Sequence, residues 1–443
     1  MEAVANSVDD ALIDSLSFKL SNSASYITER ESVTCWPTGS NIYKTTSGTN
    51  VIRFVLTNDN WLDPSTVRVM FNLVNNDADV AKKLRTISGA WSFFRRMRIM
   101  CQGKLIEDFD YNRTCEMFEV MTSLHNRDND DIENFGYRSD KLEPNQSHTE
   151  DTLPGIPGTS HQTVGMKLCS GLLNQPKMLP LKYMPLTIEL ELVNDANDVV
   201  ITPGVDAVFT TANTTSDWHI DNVQLKCDIL HLDNSLQNNY DKHLLGGKSL
   251  PINFNTYITQ SQAIVGQDVG VSLNRAITRL KSIFVTFYRS TYTTAHHGMH
   301  KEFNSFTHPM DNAASHGYDK GFELQYQIQI GSKLFPEYPV TSISESFAQL
   351  KKCLGILGSN FHSVSITPMQ YRSDKFIIGC DTEKALQAGF TGLNTRQGDL
   401  LSTKVKAIDK TVLTKEKMPD TMFVVLHSDQ IMEISDSGVQ VFD

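Results

Sequence analysis

Long apolar runs are missing from this 443-residue chain. No uninterrupted stretch approaches the roughly 18 residues of a membrane span. The opening residues, Met1 to Asp10, have no basic n-region and no apolar h-region, so no secretory signal is expected. Cysteine is scarce and unpatterned. The seven thiols lie at 35, 101, 115, 169, 227, 353 and 380, with no Cys-x-x-Cys pair. An odd number without metal-type spacing reads as reduced thiols in a protein folded in the cytosol or nucleus. In that setting the sequons at Asn112, Asn145 and Asn213 go unused. Positive charge is in deficit: 40 Lys and Arg stand against 51 Asp and Glu, a net charge of −11. A general surface this acidic does not wrap nucleic acid, which needs a basic field. Glycine and proline, 25 and 15 residues, are too few for a collagen-like chain. The 40% hydrophobic content is too high for a disordered one. The length fits two or three domains, each able to bury a core.

What the chain has in quantity is period-two alternation. Val67, Val69, Phe71 and Leu73 alternate with Arg68, Met70 and Asn72. The same pattern runs through Leu186–Leu192, Val223–Ile229 and Phe322–Ile330. Each predicts a strand with one face in a core and one in water. Val51–Leu56, Ile283–Tyr288, Phe376–Ile378 and Met422–Leu426 add further β-rich runs. Strands in both halves, separated by long polar loops, predict sandwiches and not a βαβ sheet.

Helical signals are few. Ser342-Ile343-Ser344-Glu345 has capping-box spacing, and Phe347, Leu350 and Leu354 then share one face. Thr114–Leu124 carries a stripe of Met117, Met121 and Leu124. Ser235–Leu245 repeats Leu236, Tyr240 and Leu244, then stops at Gly246-Gly247. This stop, with Pro251 after it, marks a domain boundary. The expected division is an arm over 1–30, a first sandwich over 31–235, a helical linker with a Gly hinge over 236–250, and a second sandwich over 251–443.

The halves resemble each other. Ile99–Met121 aligns with Ile328–Leu350 at one constant offset and without a gap. Lys104 meets Lys333, Leu105 meets Leu334, Glu116 meets Glu345 and Phe118 meets Phe347. Both windows read strand, Gly-containing turn, acidic-aromatic link, amphipathic helix. A duplicated unit predicts two similar domains. Two long loops, His125–His161 and Tyr292–Tyr318, are of the kind that makes contacts. In the arm, Val8, Leu12 and Leu16 recur every four residues among Asp9, Asp10 and Asp14. Such a stripe docks on a partner or packs on its own domain.

Candidate chemistry is weak throughout. Gly246-Gly247-Lys248-Ser249 lacks the first Gly of a phosphate loop, because Lys242 holds that position. Asp128-Asn129-Asp130-Asp131-Ile132-Glu133 puts Ile where a calcium loop needs an oxygen ligand, and reads as a solvated acidic loop. His296, His297 and His300, with His308 and His316 farther on, lie in a polar loop without Cys or a His-Glu-x-x-His. Gly158-Thr159-Ser160-His161-Gln162 lacks the final Gly of a nucleophile elbow. Arg95, Arg96 and Arg98, with Lys104, form the densest basic cluster. On a strand, Arg96 and Arg98 project from one face and Arg95 from the other, as a wet face or subunit contact. No catalytic, cofactor or metal residue is assigned.

Short motifs carry a family resemblance. Pro185-Leu186-Thr187-Ile188-Glu189-Leu190-Glu191-Leu192, after Leu179-Pro180-Leu181, is similar to a strand segment in double jelly-roll major capsid proteins. Phe390-Thr391-Gly392-Leu393-Asn394-Thr395-Arg396-Gln397-Gly398-Asp399-Leu400-Leu401 resembles a stretch in capsid proteins of polinton-like viruses and virophage-like elements. So do Tyr338-Pro339 leading into Ser344-Glu345-Ser346-Phe347, and the closing Val424–Phe442. The resemblance implies an all-β chain of two consecutive eight-stranded antiparallel jelly rolls, with a few short helices in loops. It implies a homotrimer forming a pseudo-hexameric capsomer, packed against neighbouring capsomers in an icosahedral shell around double-stranded DNA. It places the protein in the virion capsid, assembled in the host cytoplasm or nucleus. The arm, through Val8, Leu12 and Leu16, would meet minor capsid and penton proteins or an internal membrane, with no direct nucleic-acid contact. Two other readings compete. A carbohydrate-binding jelly roll, fibre or lectin-like, would need aromatics converging in a groove, with only Trp36, Trp61, Trp91 and Trp218 as Trp platforms. A cupin-like metalloenzyme would use His296, His297 and His300.

Overall fold

The computed structural model describes residues 26–46, 49–137, 154–202, 213–265, 268–272, 277–290, 299–309, 324–386, 391–395, 400–407 and 419–442. The arm residues Val8, Leu12 and Leu16, and His296, His297 and His316, lie outside them.

The alternating segments form strands because each places a strip of Val, Ile, Leu or Phe on one face only. In the first half these are β1 (Ile27–Cys35), β2 (Ile42–Tyr43), β3 (Val51–Leu56), β4 (Trp61–Asn75), β5 (Phe94–Cys101), β6 (Lys104–Asp110), β7 (His161–Lys167), β8 (Leu179–Pro180), β9 (Leu186–Leu192) and β10 (Trp218–Leu232). In the second half they are β11 (Leu250–Ala263), β12 (Asp268–Ser272), β13 (Leu280–Tyr288), β14 (Leu324–Ile330), β15 (Lys333–Val340), β16 (Ile378–Asp381), β17 (Leu400–Ala407), β18 (Thr421–Ser435) and β19 (Gly438–Phe442). Along β4 the inward residues Val67, Val69, Phe71 and Leu73 are all buried. β16 starts two residues later than the predicted Phe376–Ile378 run, which leads into it as buried coil.

Two sheets belong to each half. In the first, β1-β10-β4-β7 faces β3-β9-β5-β6, with the two-residue β2 and β8 added to β10 and β4. In the second, β11-β18-β13-β16 faces β12-β17-β14-β15, with β19 beside β18. Without the short strands, each half has eight strands in the sheet orders first-eighth-third-sixth and second-seventh-fourth-fifth. That order is the jelly roll. All pairings between these strands are antiparallel. The antiparallel order brings the connections first–second, third–fourth, fifth–sixth and seventh–eighth to the same end of each roll. The longest connections, 111–160, 193–217, 289–323 and 341–377, all leave from that end.

The predicted repeat has a structural counterpart. β5 and β6 close a hairpin with Cys101 opposite Lys104, and β14 and β15 close one with Ile330 opposite Lys333. Both turns need positive φ: +50° and +79° at Gln102 and Gly103, +58° at Gly331. Each hairpin leads into a helix, α1 (Tyr111–Met121) or, in the second roll, Ile343–Cys353. In that second helix Ser342 accepts the Glu345 N–H as the spacing requires. Glu345, however, accepts from the Thr341 N–H and not from its capping residue, one step short of a full capping box.

The expectation of a continuous loop from His125 is corrected. Leu124–Glu133 is helix α2, capped by the Ser123 side chain accepting the Asn126 N–H. Its many polar residues hid it, because only Arg127 and Asp131 turn inward. Two short helices were also not anticipated, α3 (Gly171–Asn174) and Pro368–Arg372. The latter carries a complete capping box between Thr367 and Gln370. Between the rolls runs α4 (Asn234–Leu245), capped by Asp233 and ended at Gly246, with Gly247 at φ +76°. It folds back on the first roll: Gln237 accepts from the Trp61 indole N–H at 2.9 Å, and Tyr240 packs on Trp61 at 4.8 Å. The helix after the second hairpin is α5 (Ile343–Cys353), and Pro368–Arg372 is α6.

The two cores interlock. Ile252, Phe254, Met432, Ile434 and Val439 of the second half pack into the first core. Met117, Val120 and Met121 of α1 pack into the second.

Candidate functional site

The densest polar chemistry lies along the seam where the rolls meet. α1 carries Glu116 into it, and the coil before β16 carries Lys375. Their charged ends are 3.5 Å apart, with both side chains almost fully buried. Lys375 also donates to the Asn304 carbonyl at 2.7 Å and lies 5.5 Å above the Phe306 ring. Glu116 in turn accepts from the Ser88 hydroxyl and from the Trp91 indole at 3.4 Å. A buried pair persists only when its remaining polar atoms are so satisfied.

A second seam group is Glu107 on β6. Its carboxylate accepts from the Ser170 hydroxyl and, at 2.9 Å, from the Gly171 N–H. Burial nonetheless pushes its pKa up to about 7, against the lowering effect of those bonds. Gly171 is required here, because a Cβ would lie 1.3 Å from the Asn255 carbonyl of β11.

Beside these groups is a cavity of about 550 Å³ lined from both rolls. Arg113 projects into this region from α1, lies 4.5 Å over Phe423, and donates to Glu302 at 3.1 Å. Burial lowers its pKa, and Glu302 and Asp110 oppose that. Burial raises Asp110 to about 6, with Arg113 pulling it back. Each of the lining arginines, Arg95, Arg96 and Arg113, already has a carboxylate partner, Glu191, Asp108 and Glu302. Among the described residues no group of three or more His, Cys, Asp or Glu could hold a metal ion.

The sequence candidates disperse. His300 faces Asp374 at 4.0 Å, while His308 is buried against Phe376 and burial pulls its pKa down to about 3. Asp128–Glu133 is helical and does not form a loop. Gly246–Ser249 is a helix stop. Asn112 is buried, donating to the Ser92 carbonyl. The Arg cluster differs from expectation. A register shift between Phe94 and Arg96 breaks the alternation, and both Arg95 and Arg96 line the seam cavity. Arg96 holds Asp108 through two bonds of 2.6 Å, Arg98 pairs with Glu189 and Arg95 with Glu191. These arginines are committed to neighbouring strands. Of the four tryptophans, Trp61, Trp91 and Trp218 are buried and Trp36 is 60% exposed. The seam residues Glu107, Arg113 and Lys375 carried no sequence signal, because each partner lies far along the chain.

The fold class is thus the double jelly roll. No family model matches the sequence, and no curated protein matches it. Solved structures do match. PBCV-1 VP54, fitted into a cryo-EM reconstruction of the virophage Sputnik, superposes with a TM-score of 0.63 at 11% identity, over 96% of this chain and 99% of that one. A chain of the Sputnik virophage structure gives 0.62 at 9% identity, over 98% and 93%. The Faustovirus major capsid protein gives 0.59 at 9% identity, over 95% and 94%. These similarities establish the fold over nearly the whole chain.

Proposed function

We propose that this chain is a major capsid protein, three copies of which form a pseudo-hexameric capsomer that tiles an icosahedral shell around a double-stranded DNA genome. The observation that carries the reading is the tandem pair of complete jelly rolls, superposable end to end on capsid chains of similar length. Two similar rolls per chain give six similar units per trimer, so a three-fold object can fill a hexagonal position. Trimer contacts of this kind are heterologous and close after three copies. Features of the isolated chain fit a self-associating subunit. Edge strand β1 is largely exposed and charged through Glu29, Arg30 and Glu31, which discourages indiscriminate strand pairing. Phe361, at 97% exposure, stands out from the connection after α5. The division into arm, first roll, linker and second roll at 30, 235 and 250 belongs to this reading. So does an arm that meets minor capsid and penton proteins, or an internal membrane, through Val8, Leu12 and Leu16.

The test is the mass of purified protein by light scattering, followed by electron microscopy of the same fraction. A particle of about 150 kDa, three times the 49.7 kDa chain, with a hexagonal outline supports the proposal. A monomer that stays monomeric with its co-expressed shell proteins refutes it. Shells that retain every minor component after deletion of residues 1–20 refute the role of the arm.

A further inference from the structure

A second concavity, of about 500 Å³, lies away from the seam on the first roll. It sits where β1 ends, β2 pairs with β10, and β4 nears its end, so it opens at the end from which the long connections leave. Its lining is chemically distinctive. Trp36 and Ile42 are 60% and 50% exposed, an unusual pair of large apolar groups to leave in water side by side. Around them are Asn72, Asp221 and Asn222, and no Lys, Arg or His lines the space.

The polar groups are incompletely used. Tyr43 is fully buried, yet its hydroxyl has no partner among the described residues, and neither has Asp221 Oδ1. Buried polar atoms are ordinarily satisfied, so both stand out. Asn72 spends its side-chain oxygen on the Thr163 hydroxyl at 2.7 Å, and Asn222 spends its own on Gln224 at 3.0 Å. No described residue takes the Nδ2 hydrogens of either. Asn222, exposed on the lining, is held at φ +49°, a left-handed conformation that Asn tolerates better than most residues.

An aromatic face beside amide donors and a carboxylate acceptor suits a ligand with one apolar face and a ring of hydroxyls. Pyranose sugars have that character: C–H bonds cluster on one face, and vicinal hydroxyls both donate and accept. Asp221 lies 3.7 Å from the His219 ring, whose pKa burial lowers, so this neighbour offers little positive charge, and a carboxylate so placed disfavours sulfated, phosphorylated or sialylated sugars. We propose that this groove is a binding site for a neutral pyranose, stacked on Trp36 and held through its hydroxyls by Asp221, Asn72 and Asn222. The site adds glycan recognition to a shell protein and stands whether or not the capsomer reading does.

The experiment applies the full-length protein to an array of oligosaccharides ending in neutral hexoses, N-acetylhexosamines or sialic acid. Hits are then titrated as methyl glycosides while tryptophan emission is followed. Because the other three tryptophans are buried, the solvent-exposed emission reports Trp36. Neutral glycans should bind, protect Trp36 from acrylamide quenching, and lose at least about tenfold in affinity in Trp36→Ala and in Asp221→Asn, with Trp36→Phe retaining most of it. Both residues are partly exposed, so these variants keep the fold, checked by an unchanged unfolding midpoint. Four outcomes overturn the proposal: no neutral glycan bound, sialylated glycans preferred, binding unchanged in both variants, or a Trp36→Ala protein that binds sugar normally but changes its oligomeric mass. The last would make the groove a subunit contact. None bears on the trimer mass of the wild type, which tests the capsomer separately.

Discussion

The buried Glu107 gives stability a pH dependence that can be worked out in advance. An unfolded Glu titrates near 4.5, and in the fold this carboxyl holds its proton up to about pH 7. Between those values the native state binds the extra proton, so unfolding releases it and stability falls as pH rises. The contribution is present in full below the unfolded value and is lost as pH passes through the folded one. The slope is about 1.4 kcal/mol per pH unit, and the window of some 2.5 units makes the whole effect about 3 kcal/mol. Glu107→Gln keeps one oxygen to accept the Gly171 N–H, presents its NH2 to the Ser170 hydroxyl as a donor, much as the protonated acid would, and removes the titration. Urea midpoints of both proteins should be measured from pH 4 to 8 at one protein concentration, since assembly also shifts them. Asp110, raised to about 6, contributes in the same direction in both proteins and cancels in the difference. The two curves should meet near pH 4 and diverge to about 3 kcal/mol in favour of the variant at pH 8. A difference that is flat, or that favours the wild type at high pH, would refute the reasoning.

Two further perturbations test the seam. Lys375→Met strands the Glu116 carboxylate in a dry site with only Ser88 and Trp91 for company, and should cost about 3–5 kcal/mol. Adding Glu116→Gln should recover a large part of that loss, and strict additivity in denaturation would show that the pair is not coupled. Gly171→Ala drives a methyl group into the Asn255 carbonyl, so α3 and β11 must separate. Soluble expression should collapse, or protease sites along the rolls' interface should open, whereas wild-type expression and cleavage would show that the contact is loose.

Much of the fold was readable where it is local. Alternation marked β9 to the residue, and the hairpin-plus-helix unit was visible as a repeat because its turn and register depend on neighbours within a few positions. Strand order was not readable. β1 pairs with β10 through Arg30 and Leu230, and no local pattern specifies such a partner. α2 escaped because a helix buried on so narrow a face needs few apolar residues. The seam was illegible for the same reason as the strand order: Glu116 and Lys375 are 259 positions apart. The Trp36 groove is assembled from the coil after β1 and from β2, β4 and β10, so Trp36 lies far along the chain from Asn72, Asp221 and Asn222.

Under the proposed reading, the interlocked cores constrain how a capsomer built from this chain would adapt. Met117, Val120 and Met121 reach into the second core, while Phe254 and Met432 reach into the first. Rotating one roll against the other would expose these side chains, at roughly 1.5–3 kcal/mol for each one fully uncovered. It would also break the Lys375–Glu116 pair in a dry environment, adding several kcal/mol. Five such side chains and one ion pair together cost about 10–20 kcal/mol, as much as the total stability of an ordinary domain. The rolls therefore move as one block, and a shell position that demands a different angle cannot be met by bending at Gly246-Gly247. Adjustment between neighbours must come from parts whose displacement exposes little: the charged edge β1, the connection carrying Phe361, and the long connections at one end of each roll.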